Sequence, residues 1–437
     1  MKKFKVKIMP LVADPQLLSA AGALSCFEEK SSADLMEDIS ALSKEERLKK
    51  EKGVLKNSFG RGHGSVGDQN YFFFCFEDIP RAATLQLCLP EYLSHLQQSL
   101  RRAKASRGFY MPEVVKNSEF GKRAEEVLND SFAFYERMTE EEIPGEDARF
   151  ILPLYTLTNI QSGGDAREWL HLEQMSKKPG VPSIVSEVIS EAVSQARSKA
   201  PYLFENFGFN YETLAWFPSS QLFSPANQTM KELISRRGSD KPELLGSLCP
   251  IDITKEGVGR AIKDRDEAEI SNLKRIHFEF LIPMSLACFH QATRQRTWNH
   301  SIESIYDAAE TEGRIVVPPS VENSQFAEEF RAFHGKMMSL YKEMSGSGIP
   351  KEEAIGVVPH SLVLYDAIHI NGWNVVHSIG KRTCVEAQWE IRRIAREIAS
   401  LIKEEMPALG AWAEPQCINY GYCPEIRDCG YYKSKKS

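Results

Sequence analysis

Arg294-Gln295-Arg296-Thr297-Trp298-Asn299-His300-Ser301-Ile302-Glu303-Ser304 is the stretch from which the rest of the chain is read. Two arginines one residue apart, then seven residues, then a serine, make a pattern suited to anions, because the planar guanidinium grips phosphate through two parallel hydrogen bonds. In an extended segment Arg294 and Arg296 share a face, whereas in a helix they diverge by roughly 200°. A diverging pair can hold two different anionic ligands at one wall.

Composition sets the outer bounds. A chain of 437 residues is long enough for two or three domains with their own cores. Its 42% apolar and 26% charged content is that of an ordinary soluble protein. A net charge of −6 argues against nonspecific nucleic-acid binding, which needs a broad basic surface. Nine cysteines without regular pairing suit a reducing compartment, and the cytoplasm is the expected location. The N-terminus alternates charged and apolar residues as a half-exposed strand does, and lacks the apolar stretch of a signal peptide. The greasiest segments, 71–76 and 278–289, are too short to span a bilayer, and Pro283 interrupts the second. Neither nucleic acid nor membrane is an expected partner.

A second block reads Arg382-Thr383-Cys384-Val385-Glu386-Ala387-Gln388-Trp389-Glu390-Ile391-Arg392, and Gln291 lies three residues before Arg294. Arg-Gln-Arg with Ser304 resembles the Arg-His-Arg-(seven)-Ser signature of the flavin-dependent thymidylate synthases, the ThyX family. The later block resembles that family's Arg-(four)-Ala-Gln-Trp-Glu-Ile-Arg helix. Two matches in the right order are far more specific than either alone.

The same pattern can be laid on the first half. His63-Gly64-Ser65-Val66-Gly67-Asp68 is similar to the family's His-x-Ser-Val-x-Glu segment, followed by Phe72-Phe73-Phe74, Pro80-Arg81-Ala82 and Gln86-Leu87. Where Arg-x-Arg belongs, the chain has Leu89-Pro90-Glu91, yet Ser99 and Arg101 follow in place. Glu146-Asp147-Ala148-Arg149 through Pro153 resembles the Ala-Arg-x-Val-Leu-Pro element, and Asp165-Ala166-Arg167 the Asn-Ala-Arg element; the second half has Glu353 to Pro359 and Asn371-Gly372-Trp373 there. Leu89 and Arg294, like Ser99 and Ser304, lie 205 apart, while Pro153 and Pro359, like Asp165 and Asn371, lie 206 apart. The expected architecture is therefore α+β: two tandem ThyX-like units, helix-rich with a small mixed sheet each, over 1–205 and 206–412, and a cysteine-containing tail over 413–437. They join within 206–223.

Between the markers, helices are expected over 14–29, where Asp14-Pro15 makes a cap and first-turn proline, and over 41–52, 183–199 and 384–405. In the last, Trp389, Ile394, Ile398 and Leu401 form the apolar stripe. Strands are expected near 4–9, 212–217 and 314–317, and a turn at Ser345 to Pro350.

The halves differ in what they retain. The first keeps His63, Ser65, Arg149 and Arg167 but lacks the double arginine; the second keeps Arg294, Arg296, Asn371 and Arg382 but has Ile355, Trp373 and Glu269 where an arginine, an arginine and the histidine belong. Complementary losses are what drift leaves when a duplicated chain keeps one composite site, although loss of both sites is the competing reading. The resemblance implies FAD as cofactor, with NADPH and methylenetetrahydrofolate as co-substrates, and dUMP as the substrate methylated to dTMP. It places His63, Ser65, Arg294, Arg296, Asp165, Arg167, Asn371 and His377 at the flavin. Gln86, Gln291, Ser99, Arg101, Arg149, Ser304 and Arg382 fall at the nucleotide, with Arg382 and Arg294 catalytic. A family tetramer implies a homodimer of this double-length chain. A hydroxymethylated pyrimidine product, or a non-catalytic nucleotide-binding role, are the alternatives.

Several patterns compete for attention. Cys249 and Cys288 are read as buried structural thiols rather than nucleophiles. Gly62 to Gly67 spells GxGxxG, but no strand precedes it and no acidic residue follows at the distance a dinucleotide fold needs. Cys417, Cys423 and Cys429 are spaced more loosely than zinc's usual pairs, and the tail has no histidine, so no metal ligands are assigned. Gln295 stands for the family's middle histidine, and Ile302 and Tyr306 for a glutamate and an arginine.

Overall fold

The computed structural model describes residues 4–9, 14–205, 217, 219–426 and 428–436. The chain divides into two compact units, Met1–Ser224 with Gly335–Val358, and Pro225–His334 with Pro359–Ser437. Each is built on a four-stranded sheet with helices against it, so the class is α+β.

In the first unit β1 (Lys5–Ile8), β2 (Tyr71–Pro80), β3 (Ser94–Gln97) and β4 (Leu157–Asp165) lie in the order β1-β2-β4-β3. In the second, β5 (Glu243–Leu248), β6 (His277–Ser285), β7 (Asn299–Ile302) and β8 (Val363–Asn371) repeat it as β5-β6-β8-β7. Every pair is antiparallel rather than mixed, because the connections return each strand against its neighbour instead of crossing over as a βαβ unit does.

Alternation drives the sheet faces. Phe72, Phe74 and Phe76 are fully buried, while Tyr71 just before them and Phe73 between the first two are exposed. Trp169, on the helix Ala166–Ser176, packs edge-on against Phe74 at 4.8 Å, and its Nε1 donates to the Phe72 carbonyl at 3.1 Å. Burial of each such ring stabilises by roughly 1.5–3 kcal/mol.

The duplication is visible residue by residue. Tyr71 pairs with Asp165 in the first sheet, and His277 pairs with Asn371, both 206 residues on, in the second. The β2–β4 register then shifts between Phe76 and Ile79, where Asp78 adopts a φ of 55°, whereas β6 runs beside β8 without interruption. One extra residue in a β-bulge is why the offset falls to 205 for Ser94 and Asn299, which open β3 and β7. It is 206 again by Phe109 and Ile315, which form matching bridges to Thr156 and Leu362.

Local signals set most element ends. The first helix is Pro15–Leu24, capped by Asp14, and the charged helix is Lys44–Asn57 because Ser43 and Glu46 form a reciprocal capping box. Ser183–Lys199 forms as expected. The last long helix starts only at Trp389, where the Gln388 side chain accepts from the Glu390 and Ile391 amides. Its buried seam is Ile391, Ile394, Ile398 and Ile402; Trp389 and Leu401 flank it, half-buried. Helix Ala327–Gly346 runs into the expected turn, which Gly348 makes at a φ of 93°. The expected strand at 314–317 reduces to the bridge at Ile315, while that at 212–217 lies almost wholly outside the described residues, as does most of the junction. Among the described residues no helix is long and apolar enough to cross a membrane.

Candidate active site

In the second unit Ser285 starts the helix Leu286–Ala292, its Oγ accepting from the Cys288 amide at 3.0 Å. Beyond that helix the chain turns twice, with the Gln295 amide donating to the Ala292 carbonyl and the Trp298 amide to the Gln295 carbonyl, each at 2.9 Å. The double-arginine segment is thus neither extended nor helical. Arg294 and Arg296 are exposed, and Gln295 between them is buried. The turn is pinned from inside: Trp298 Nε1 donates to Ser378 Oγ at 2.6 Å, and Thr297 Oγ1 to Asn374 Oδ1 at 2.7 Å. Asn374 is itself seated by Asn371, whose side-chain oxygen accepts its amide at 2.9 Å. Asn371 therefore serves locally as a helix cap.

Arg382 closes on the same turn. With the Gln295 amide assigned the orientation its neighbours require, its oxygen accepts from Arg382 Nε at 2.8 Å and Nη2 at 2.6 Å, and Nη2 reaches the Gln291 carbonyl at 3.4 Å. The residue standing where the family pattern has histidine is the one that aims Arg382. Behind it, the buried Glu390 accepts from the Ser285 amide at 2.8 Å and from its hydroxyl, tying the last long helix to the one that carries Gln291. Ser304 is buried at the start of Ile305–Glu310. Its neighbour Glu303 is paired with Arg314, and burial pushes its carboxyl up. His377 is exposed in the widened turn Val375–Ile379, where the desolvation that remains pulls its imidazole down. Ile302 and Tyr306 are both buried.

In the first unit His63 and Ser65 are exposed, and their side chains make no hydrogen bond among the described residues. Asp68, from the same short turn, pairs with Arg167, whose guanidinium also lies 3.9 Å over the Phe217 ring. Asp165 caps the Arg167 helix, its Oδ1 accepting from the Glu168 amide at 2.9 Å. Burial raises the Asp165 carboxyl to about 6, and burial with the Asp165 charge raises Glu168 to about 8.

A second network gathers Ser99, Arg101 and Arg149. Arg101 Nε donates to Glu146 Oε2 at 2.7 Å, Arg149 Nε to the Glu146 carbonyl at 2.9 Å, and the Arg101 amide to Ser99 Oγ at 3.2 Å. Arg81 is buried, with burial first and the Arg149 charge second pulling it down to about 9. Gln86 is fully buried, and neither atom of its amide is hydrogen-bonded among the described residues. An unpaired buried amide costs about 1–3 kcal/mol per group, so this is an arrangement suited to a polar ligand. Arg81 and Gln295 are the additions that sequence reasoning left out. An arginine opening the helix Arg81–Leu87, every residue of which is buried, is the signal that points to the first. Cys288 is buried, but Cys249 is exposed, contrary to expectation, because it sits beyond the end of the edge strand β5, where its Sγ lies 3.0 Å from the Ile251 carbonyl.

Comparison with known proteins falls on the same two stretches. The model of the family described as thymidylate synthase complementing protein matches residues 8–202 and again 254–408. A flavin-dependent thymidylate synthase of Pyrococcus furiosus is 30% identical over 165 residues, covering 36% of this chain and 68% of the relative. That of Nitratidesulfovibrio vulgaris is 29% identical over 179 residues, covering 38% and 73%. Among solved structures, the UMP/dUMP methylase PolB from Streptomyces cacaoi bound with 5-Br dUMP aligns at 16% identity and a TM-score of 0.39, covering 47% of this chain and 95% of that one.

Proposed function

The chain belongs to the thymidylate synthase complementing protein family, the flavin-dependent thymidylate synthases, and on that premise we propose that it methylates dUMP to dTMP, with FAD as cofactor and NADPH and methylenetetrahydrofolate as co-substrates. The observation that carries this reading is Arg382, held by Gln295 and Gln291 on the turn that presents Arg294 and Arg296. A guanidinium fixed before reaction is a preorganised donor for the negative charge that develops on a uracil carbonyl.

Each unit has part of the equipment. In the second, the exposed Arg294 and Arg296 suit the pyrophosphate of a dinucleotide cofactor, with Asn371 and His377 beside their turn. In the first, Ser99, Arg101, Arg149 and the unsatisfied Gln86 suit a nucleotide phosphate and base, while His63, Ser65, Asp165 and Arg167 suit a flavin. FAD, when bound, supplies the hydride chemistry that side chains lack. The chain's own residues bind, orient and polarise. Two chains of 49.4 kDa make a homodimer that provides four such units. The cytoplasm is the compartment this chemistry fits.

Release of tritium from dUMP labelled at the reacting carbon, with all co-substrates present, tests the assignment; no release sinks it. Mass analysis of the nucleotide product separates a methyl from a hydroxymethyl group.

A further inference from the structure

The cysteines have no part in the chemistry above, yet four of them meet. Cys417, Cys423 and Cys429 of the tail border one cavity together with Cys384, which lies two residues beyond Arg382. The cavity is partly open to solvent. Cys417 is buried, Cys384 and Cys423 are half-buried, Cys429 is exposed, and all four are free thiols. Lys381 and Arg396 stand on the same wall, as do Glu386 and Glu425.

Such a space discriminates between occupants. A single zinc ion draws four sulfurs to within about 3.8 Å of one another, as follows from a Zn–S bond of about 2.3 Å in a tetrahedron. Among the described residues no group of three or more such donors could hold one metal ion. A cubane cluster takes one thiolate at each of its four irons and spreads the sulfurs around a larger body. We infer that Cys384, Cys417, Cys423 and Cys429 form a four-thiolate site for a [4Fe–4S] cluster. On transfer of a preformed cluster, the four thiols displace its four terminal thiolate ligands: four iron–sulfur bonds form as four break, the leaving thiolates take up the four protons, and no oxidation state changes. Four thiolates around a doubly positive core leave two net negative charges; Lys381 and Arg396 attract them, while Glu386 and Glu425 on the same lining balance those two cations. The cluster clasps the tail to the segment between Arg382 and the helix Trp389–Glu405.

The full chain, produced with iron and purified without oxygen, is assayed for iron and acid-labile sulfide, and for a low-temperature electron paramagnetic resonance signal after dithionite reduction. Neither readout depends on flavin or on dUMP methylation. About four irons and four sulfides per chain are expected, falling at least tenfold in Cys429→Ser and in Cys423→Ser, and unchanged in Cys26→Ser and Cys249→Ser. Cys429 is exposed, so its serine variant keeps the packing of the tail; circular dichroism verifies this. Zinc without sulfide, no metal, or cluster retained in the Cys423→Ser/Cys429→Ser double variant overturns the assignment.

Discussion

The amide oxygen of Gln295 accepts two hydrogen bonds from the guanidinium of Arg382, at 2.8 Å from Nε and 2.6 Å from Nη2. Gln295 is buried while its neighbours Arg294 and Arg296 are exposed, so one three-residue turn both presents two cations and aims a third. Hydrogen bonds to a charged group contribute about 1.5–3 kcal/mol. Gln295→Ala is therefore expected to lower kcat about tenfold to a hundredfold with the fold intact, and Gln295→His, which keeps one acceptor, to lose less. Steady-state kinetics on dUMP decides; an alanine variant with full kcat removes Gln295 from the positioning of Arg382.

Gln86 should trade stability for binding. Its buried, unpaired amide is a liability in the free protein, so Gln86→Leu is expected to raise the melting temperature, by the equivalent of about 1–2 kcal/mol. The same change should weaken dUMP binding about tenfold. Calorimetric titration that finds unchanged affinity rejects the placement of Gln86 at the nucleotide.

Glu168 links stability to pH. Its folded carboxyl is raised to about 8 from the 4.5 of an ordinary glutamate, with burial the first cause and Asp165 the second. The folded chain therefore holds a proton that the unfolded chain has released between those values. The contribution of Glu168 is complete below about pH 4.5 and is lost as pH rises toward 8. Glu168→Gln, which cannot ionise, should match the wild type near pH 5 and melt at a higher temperature than it near pH 8. Parallel melting curves across that range are inconsistent with a raised Glu168.

Glu390 acts through packing. Glu390→Ala strands the Ser285 amide and hydroxyl, a loss expected to cost about 2–4 kcal/mol and to loosen the helix bearing Gln291. Thermal unfolding should show the second unit destabilised, and hydrogen exchange should rise over 286–292. Unaltered exchange there separates Glu390 from that helix.

Much of this molecule was legible one-dimensionally. The tandem repeat, its 205- and 206-residue offsets, the α+β class and helices such as Ser183–Lys199 follow from motif order, periodicity and capping residues, all of which are properties of short stretches of chain. The single-residue change of offset was legible too, but its cause, the bulge at Asp78, needed the β2–β4 register. Tertiary structure alone decided that Gln295 faces Arg382, that Glu390 reaches Ser285, and that Cys384 joins three cysteines of the tail. It also decided that Gly335–Val358 packs into the first unit, where the Val358 and Gly356 carbonyls accept from the Leu154 and Tyr155 amides at 2.8 and 3.1 Å. Those partners lie from 33 residues apart, for Cys384 and Cys417, to 204, for Leu154 and Val358. A polar group's partner at that range is chosen by where the burial of the whole apolar surface leaves the two chain segments, and no local pattern encodes that.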